Sequence, residues 1–371
     1  MKYIFALLII LHALLHLLGF VKEFKLAQIS QLSGDTLVQL SDSARRFSGT
    51  LWIVACVVFL VAAGQYLRGS DSWWIWALSA AILSQVLIVL YWHDAKAGTV
   101  ANIIILAVAV FGYGQWSFNR MVYAEAEKVI TELSKEDKIV TVEMVQDLPA
   151  PVQHWLRSSG VVGKPLTYNL RLKQTGKMRT APSQPWMAVE AEQYFNVEEP
   201  AFVWQVHARM KGMPVNGRDK YMDGQGNMLI MASGLIRIVD GSGMEINQGS
   251  MLRYMGEVCW FPSAALSKYI SWEEIDSNRA RMVMNYKGLN AEGICTFDGE
   301  GRLLRFDAKR YMGSGNDATL NDWYAVCLEW KEMDGIIIPV KGTVNWQLPE
   351  GPFDYYHYTI TELEYNIDER W

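Results

Sequence analysis

The chain has 371 residues, 51% of them hydrophobic, and a formal net charge of −5, which is length enough for two structural units. Eight Lys/Arg against five Asp/Glu up to Arg120 leave the first third at +3, so residues 121–371 carry −8. An acidic domain repels phosphate backbones, which argues against a DNA or RNA partner.

Four stretches of about twenty residues lack Asp, Glu, Lys and Arg, the length that crosses roughly 30 Å of hydrocarbon. They run Tyr3–Val21, Phe47–Leu67, Ser72–Trp92 and Thr99–Phe118, with Trp52, Trp73, Trp74, Trp92 and Trp116 near their ends, where amphipathic rings favour the headgroup layer. The first stretch, behind Lys2, has the form of a signal peptide, but three more spans follow without a convincing cleavage site, so it is read as a helix. Four spans put both termini on one side. Lys22, Lys25, Arg45, Arg46 and Lys96 on the loop side outnumber Lys2, Arg68, Arg120 and Lys128. The positive-inside rule therefore predicts a multi-pass protein of the cell inner or plasma membrane with its C-terminal domain extracytoplasmic.

His12 and His16 stand four apart on one face of the first helix. Intramembrane imidazoles serve as haem ligands, quinone partners or proton relays; the ordinary alternative is hydrogen bonding between helices, to Ser84, Gln85 or Asn102. His93, Asp94 and Lys96 read as a solvated loop closing the third span.

Residues 121–147 form a helical connector, with Val122–Lys138 rich in helix formers. A short helix, Ala150–Ser159, is introduced by Pro149 and Pro151 and stopped by Gly160, with Val152, Trp155 and Leu156 on its apolar face. From Leu166 the period becomes two. Further alternating runs are Trp186–Phe195, Phe202–Met210, Asp219–Met222, Met228–Ala232, Arg281–Tyr286, Ala291–Phe297, Leu303–Tyr311, Trp323–Trp330, Ile336–Pro339, Gly342–Leu348 and Tyr355–Tyr365. Turns containing Asp223-Gly224, Asp298-Gly299 and Asp334-Gly335 separate them. The predicted fold is α+β: a four-helix transmembrane segment (residues 1–120), then a β-rich domain (148–371) built on one curved antiparallel sheet, a partial barrel. Met244–Lys268 breaks the strand rhythm with Leu252, Met255, Val258 and Cys259 at helical spacing, and is read as a lid across the concave face.

No catalytic motif stands out. The β domain has no Cys-x-x-Cys, no His-Glu-x-x-His and no Gly-x-Ser-x-Gly, and His154, His207 and His357 are far apart, so no metal site is predicted. Cys259, Cys295 and Cys327 read as small buried hydrophobes. Two clusters are candidate ligand sites. Arg218, Lys220 and Tyr221 crowd one strand edge, where cross-strand ion pairing is the ordinary alternative. Arg253, Trp260 and Phe261 on the lid, followed by Trp272, offer a cation for an anionic headgroup beside an apolar pocket; otherwise Arg253 and Glu257 are an i,i+4 surface pair.

The segments LPAPVQHWLRSSG (148–160), FVWQVHARM (202–210), GRDKYMDGQGNM (217–228), LRYMGEVCWFPSAAL (252–266), WEEID (272–276), RFDAKRY (305–311) and IIIPVKGTVNWQL (336–348) resemble an uncharacterised bacterial family of membrane-anchored domains of unknown function. The strand pattern with its mid-domain helix is similar to the lipoprotein-carrier (LolA-like) half-barrels, which implies a curved sheet and a helical lid over a greasy cavity. The membrane part is weakly DoxX-like, on helix count and the His12/His16 face. The expected function is a membrane-tethered protein holding a lipid or other amphipath in an apolar cavity. The alternatives are a redox or lipid-modifying enzyme using His12/His16 or the Arg253–Asp276 region, and a structural or interaction protein.

Overall fold

The computed structural model describes residues 2–131, 138–210 and 212–371; the 132–137 part of the predicted connector lies outside the described residues. The chain divides into two compact units, Met1–Asn119 and Arg120–Trp371.

In the first unit α1 (Lys2–Glu23), α2 (Asp42–Arg68) and α3 (Trp73–Leu90) are followed by a single turn, α4 (Trp92–Ala95), and by α5 (Gly98–Thr131), whose last turns belong to the second unit. Helices α1, α2, α3 and α5 are long and apolar enough to cross a membrane. Their burial is the reverse of a water-soluble bundle. On α1, Leu7, Leu11, Leu14, Leu15 and Leu18 face outward, while Ala6, Ala13, His12 and His16 face inward. Ala55, Ala62 and Ala63 of α2 and Ala77, Ala80 and Ala81 of α3 are buried, as small residues are where helices approach closely in lipid. An added Cβ at Gly19 would lie 2.7 Å from the Trp52 ring.

The inward polar side chains satisfy one another. His12 Nε2 lies 2.9 Å from Asn102 Oδ1, and His16 Nε2 lies 2.8 Å from Ser84 Oγ, while His16 Nδ1 meets the His12 carbonyl at 2.7 Å. The Asn102 amide donates to Ser84 Oγ and to Gln85 Oε1, both at 3.0 Å, and Gln85 donates to Thr99 at 3.2 Å. Helices α1, α3 and α5 are thus joined through one network, in which His12, His16, Gln85 and Asn102 act together.

The second unit begins with the last turns of α5, which bury Val122, Ala126, Val129 and Ile130. The short α6 (Val142–Val145) and α7 (Ala150–Ser158) follow. Val152, Trp155 and Leu156 of α7 are buried as the sequence predicts, with Trp155 against Phe297. Then come β1 (Asn169–Met178), β2 (Met187–Asn196), β3 (Ala201–Met210), β4 (Met213–Met222), β5 (Gln225–Ala232) and β6 (Ile236–Gly241). Helix α8 (Met244–Glu257), with two 3-10 turns to Leu266, precedes β7 (Ile270–Asp276), β8 (Arg279–Tyr286), β9 (Leu289–Phe297), β10 (Leu303–Met312), β11 (Thr319–Met333), β12 (Ile336–Leu348) and β13 (Gly351–Tyr365). Among the described residues the thirteen strands form one antiparallel sheet, ordered β6-β5-β4-β3-β2-β1-β13-β12-β11-β10-β9-β8-β7.

Helix α8 packs against β5 and β10, eight strands apart in that order. A flat sheet would separate them by about 38 Å at roughly 4.8 Å per strand, against a helix about 10 Å across. The sheet is therefore strongly curled, with α8 inside the curl. Asp223-Gly224 and Asp334-Gly335 turn their hairpins with positive φ at both residues, the geometry whose twist suits two-residue connections.

Three strand expectations are corrected. Strands β6 and β7, which the alternation does not predict, are the two edges of the sheet. Edge strands carry charge and exposure in place of alternation, as in Glu273 and Glu274 of β7. Strand β4 begins at Met213, six residues before the run read from Asp219. Strand β12 is continuous through Pro339, which pairs beside a β11 register shift at Glu329/Trp330 where the ladder is already irregular.

Replacing Asn102 by Leu removes the hub of the network that joins α1, α3 and α5. Thermal unfolding of the purified chain is expected to show a loss of roughly 1–2 kcal/mol, the scale of such bonds in lipid, whereas Leu14→Ala, which faces outward, leaves stability unchanged.

Candidate functional site

Between α8 and the concave face of the sheet lies a cavity of about 510 Å³. Its wall is mostly apolar: Met178, Trp204, Val206, Met228, Ile230, Phe306, Trp323 and Trp346 come from strands on both sides of the helix. The inner end is closed by the buried Cys259, Trp260, Cys327 and Tyr358. Exposed lining residues, Thr180, Met210, Tyr311, Gly313 and Ser314, mark the mouth at the ends of β1, β3 and β10. Strand β10 alone lines the cavity from Leu303 to Met312, roughly 30 Å of extended chain at about 3.4 Å per residue. The space is elongated.

Two guanidinium groups and two carboxylates face this apolar space. Arg253, in the last turns of α8, is 14% exposed and ion-paired with Glu257 and Asp219, each at 2.8 Å. Its guanidinium lies 4.6 Å from the Trp204 ring and 5.0 Å from the Phe202 ring. The Gln193 amide donates to the second Glu257 oxygen at 2.8 Å. Burial raises the Glu257 carboxyl above its ordinary range, against the opposing pull of Arg253 and Gln193. Burial would also lower Arg253, but the two carboxylates outweigh it and hold the guanidinium up. Arg253 is a closed ion-pair hub on the wall.

Arg310, which the sequence reading did not single out, is different. It lines the cavity with its guanidinium 4.8 Å from the Trp323 ring and 5.7 Å from that of Trp346. Its Nε is buried and has no hydrogen-bond partner among the described residues. A signal was present in the alternation of β10: Phe306, Arg310 and Met312 share the face that Lys309, paired to Asp322 at 2.7 Å, turns away from.

The structure brings Arg253 and Trp260 of the predicted site residues to the cavity wall. Trp260 donates its indole N–H to the Pro339 carbonyl at 3.2 Å. Phe261 is core, against Phe195 and Tyr254. Trp272 sits on β7 and donates to the Ala265 carbonyl at 3.0 Å. Arg218 and Lys220 point to the opposite face of β4 from Gly217 and Asp219, and both pair with Glu125 near the end of α5, at 2.9 and 2.7 Å. Tyr221 is buried beside Phe202 and Tyr286. Cys259, Cys295 and Cys327 are free and buried, and burial pushes the Cys259 and Cys295 thiols up. No group of three His, Cys, Asp or Glu side chains converges among the described residues.

A family model matches residues 138–358, which span all of the cavity lining up to Tyr358. The chain belongs to DUF6544, a family of unknown function. No curated protein matches it. A crystal structure of a domain named for outer membrane lipoprotein sorting, from Vibrio parahaemolyticus, aligns with 62% of this DUF6544 chain and 94% of its own length, at 8% identity and a TM-score of 0.33. That likeness is too distant to carry an argument about the site.

Arg253→Gln strands Glu257 in an apolar wall, and removing one partner of a buried pair costs roughly 3–5 kcal/mol. Without the guanidinium the Glu257 carboxyl rises further in the folded chain than in the unfolded chain, where it titrates near about 4.3. Stability linked to it is then complete below that value and is lost as pH rises through the folded one. Melting curves of Arg253→Gln are expected to show a larger deficit at pH 8 than at pH 5, and Glu257→Gln in the same background removes the difference.

Proposed function

We propose that this DUF6544 protein is a membrane-anchored binding protein that holds a lipid or another amphipathic molecule in the cavity between α8 and the curled sheet. The observation that carries the reading is the cavity itself: about 510 Å³, mostly apolar along its wall, with buried residues such as Trp260 and Tyr358 lining one part and exposed residues such as Gly313 and Ser314 another. That volume falls within the range of small-molecule sites, about 300–1,000 Å³. Each methylene moved out of water contributes about 0.8 kcal/mol, so an acyl chain gains several kcal/mol by entering such a space.

The first unit supports the membrane half of the reading. The leucines of α1 face outward and His12, His16, Asn102 and Ser84 inward, an arrangement suited to a solvent of hydrocarbon. The basic residues of the loops support an extracytoplasmic β domain at the inner or plasma membrane of a bacterium.

Native mass spectrometry of the full chain is expected to find a lipid-sized mass bound to the wild type. Ala208→Trp, which fills the cavity near its mouth, loses that mass while retaining the β signature in circular dichroism. A wild-type chain that never carries such a mass, even after incubation with lipid vesicles, overturns the proposal. For orientation, alkaline phosphatase fused after Trp371 is expected to be active and green fluorescent protein there dark; the reverse pattern puts the β domain in the cytoplasm.

A further inference from the structure

We infer that the ligand carries an anionic group, a carboxylate or a phosphate, joined to its apolar part, and that Arg310 receives that group near the mouth of the cavity. The inference rests on the cavity-binding reading above and names its ligand class.

The cavity holds two guanidinium groups, and their situations differ. Arg253 is matched by Asp219 and Glu257, and the second Glu257 oxygen is taken by Gln193. Among the described residues Arg310 has no carboxylate at ion-pair distance, and the Glu257 carboxylate, which feels its charge, is bonded to Arg253 and Gln193. Lys309, its neighbour in sequence, has Asp322. A desolvated guanidinium edge without an acceptor is costly, and the Nε of Arg310 is such an edge.

The surroundings form a slot for the group. Trp323 and Trp346 lie beside the guanidinium. On the helix side Gly249 leaves room: a Cβ there would lie 3.1 Å from the Arg310 Nε. Two indoles and a glycine surround the guanidinium, the glycine beside the buried Nε, and leave its terminal N–H groups as the means of recognition. A guanidinium edge matches the two oxygens of a carboxylate or phosphate. Arg310 also stands next to Tyr311 and the exposed Gly313 and Ser314 at the mouth, while the opposite end is closed by Trp260 and Tyr358. An amphipath would lie with its head at Arg310 and its tail toward Trp260.

The test uses the full chain in lipid nanodiscs, which avoids detergent in the cavity. Two probes are compared, a diazirine-bearing palmitic acid and its methyl ester, with cross-links mapped by mass spectrometry. In the wild type the acid is expected to label cavity peptides about tenfold more than the ester, the factor that a charge-assisted hydrogen bond supplies. Arg310→Gln is expected to bring the acid down to the level of the ester and leave the ester unchanged; Arg310→Lys retains most of the labelling by the acid. Equal cavity labelling by acid and ester in the wild type overturns the anionic head and leaves the cavity reading standing. Cavity peptides labelled by neither probe overturn the cavity reading itself. A parallel loss of both probes in Arg310→Gln makes Arg310 a packing residue and overturns its role in recognition. Displacement of the acid by inorganic phosphate alone makes this a free-anion site and overturns the amphipath.

Discussion

The β domain depends on one packing constraint, a helix that must touch two strands far apart in the same sheet. Neighbouring residues of α8 make the two attachments: Asn247 accepts the Gly226 N–H of β5 at 2.7 Å, and Gln248 donates to the Lys309 carbonyl of β10 at 3.0 Å. Gly226 permits the first approach, since a Cβ there would lie 2.6 Å from the Ile246 carbonyl oxygen. With both contacts made, the intervening strands have to arch around the helix. Register shifts in β11 against β12, in β12 against β13 and in β1 against β13 provide local bends along that arch. The cavity is the part of the arch that the helix does not fill.

Placing a helix in a curl also decides where charge can go. Arg253 and Glu257 are i,i+4 on α8, a spacing that on a surface is worth a few tenths of a kcal/mol. Inside the curl the same pair is desolvated, and Asp219 and Gln193 from the facing strands complete it. A buried pair of this kind adds little net stability relative to an apolar one. It does fix which turn of α8 faces β2 and β4, because any rotation leaves a charge unmatched. Arg310, across the cavity, has no carboxylate at ion-pair distance among the described residues, and in that it differs from Arg253.

Much of this was legible in the sequence, for reasons visible in particular residues. The four spans stand out because a run such as Tyr3–Val21 has no charge, and the long inner strands because one face is buried. The mid-domain helix announces itself through Leu252, Met255, Val258 and Cys259, all of them buried. The edges β6 and β7 were hidden because an edge strand needs no apolar face. The site was less legible still. Arg218 and Arg253 are both arginines in strong local patterns, and nothing local says that one turns to Glu125 and the other into the cavity. Arg310 lies in RFDAKRY, where alternation gives its face but not the missing partner. That fact depends on where Asp219 and Glu257 are spent, and those residues are brought near by contacts dozens of positions away.

The unit of four long apolar helices obeys the same rule of matched polar groups. Buried as they are, His12 and His16 have no water to satisfy them and require partners within the bundle. Asn102 and Ser84 supply them, and Gln85 and Thr99 extend the chain of bonds toward the start of α5. Three of the four imidazole nitrogens are committed to these contacts. The pair therefore has a structural occupation that accounts for its presence on one face of α1. Among the described residues the Arg310 Nε, in the other unit, is a buried polar atom without such a partner.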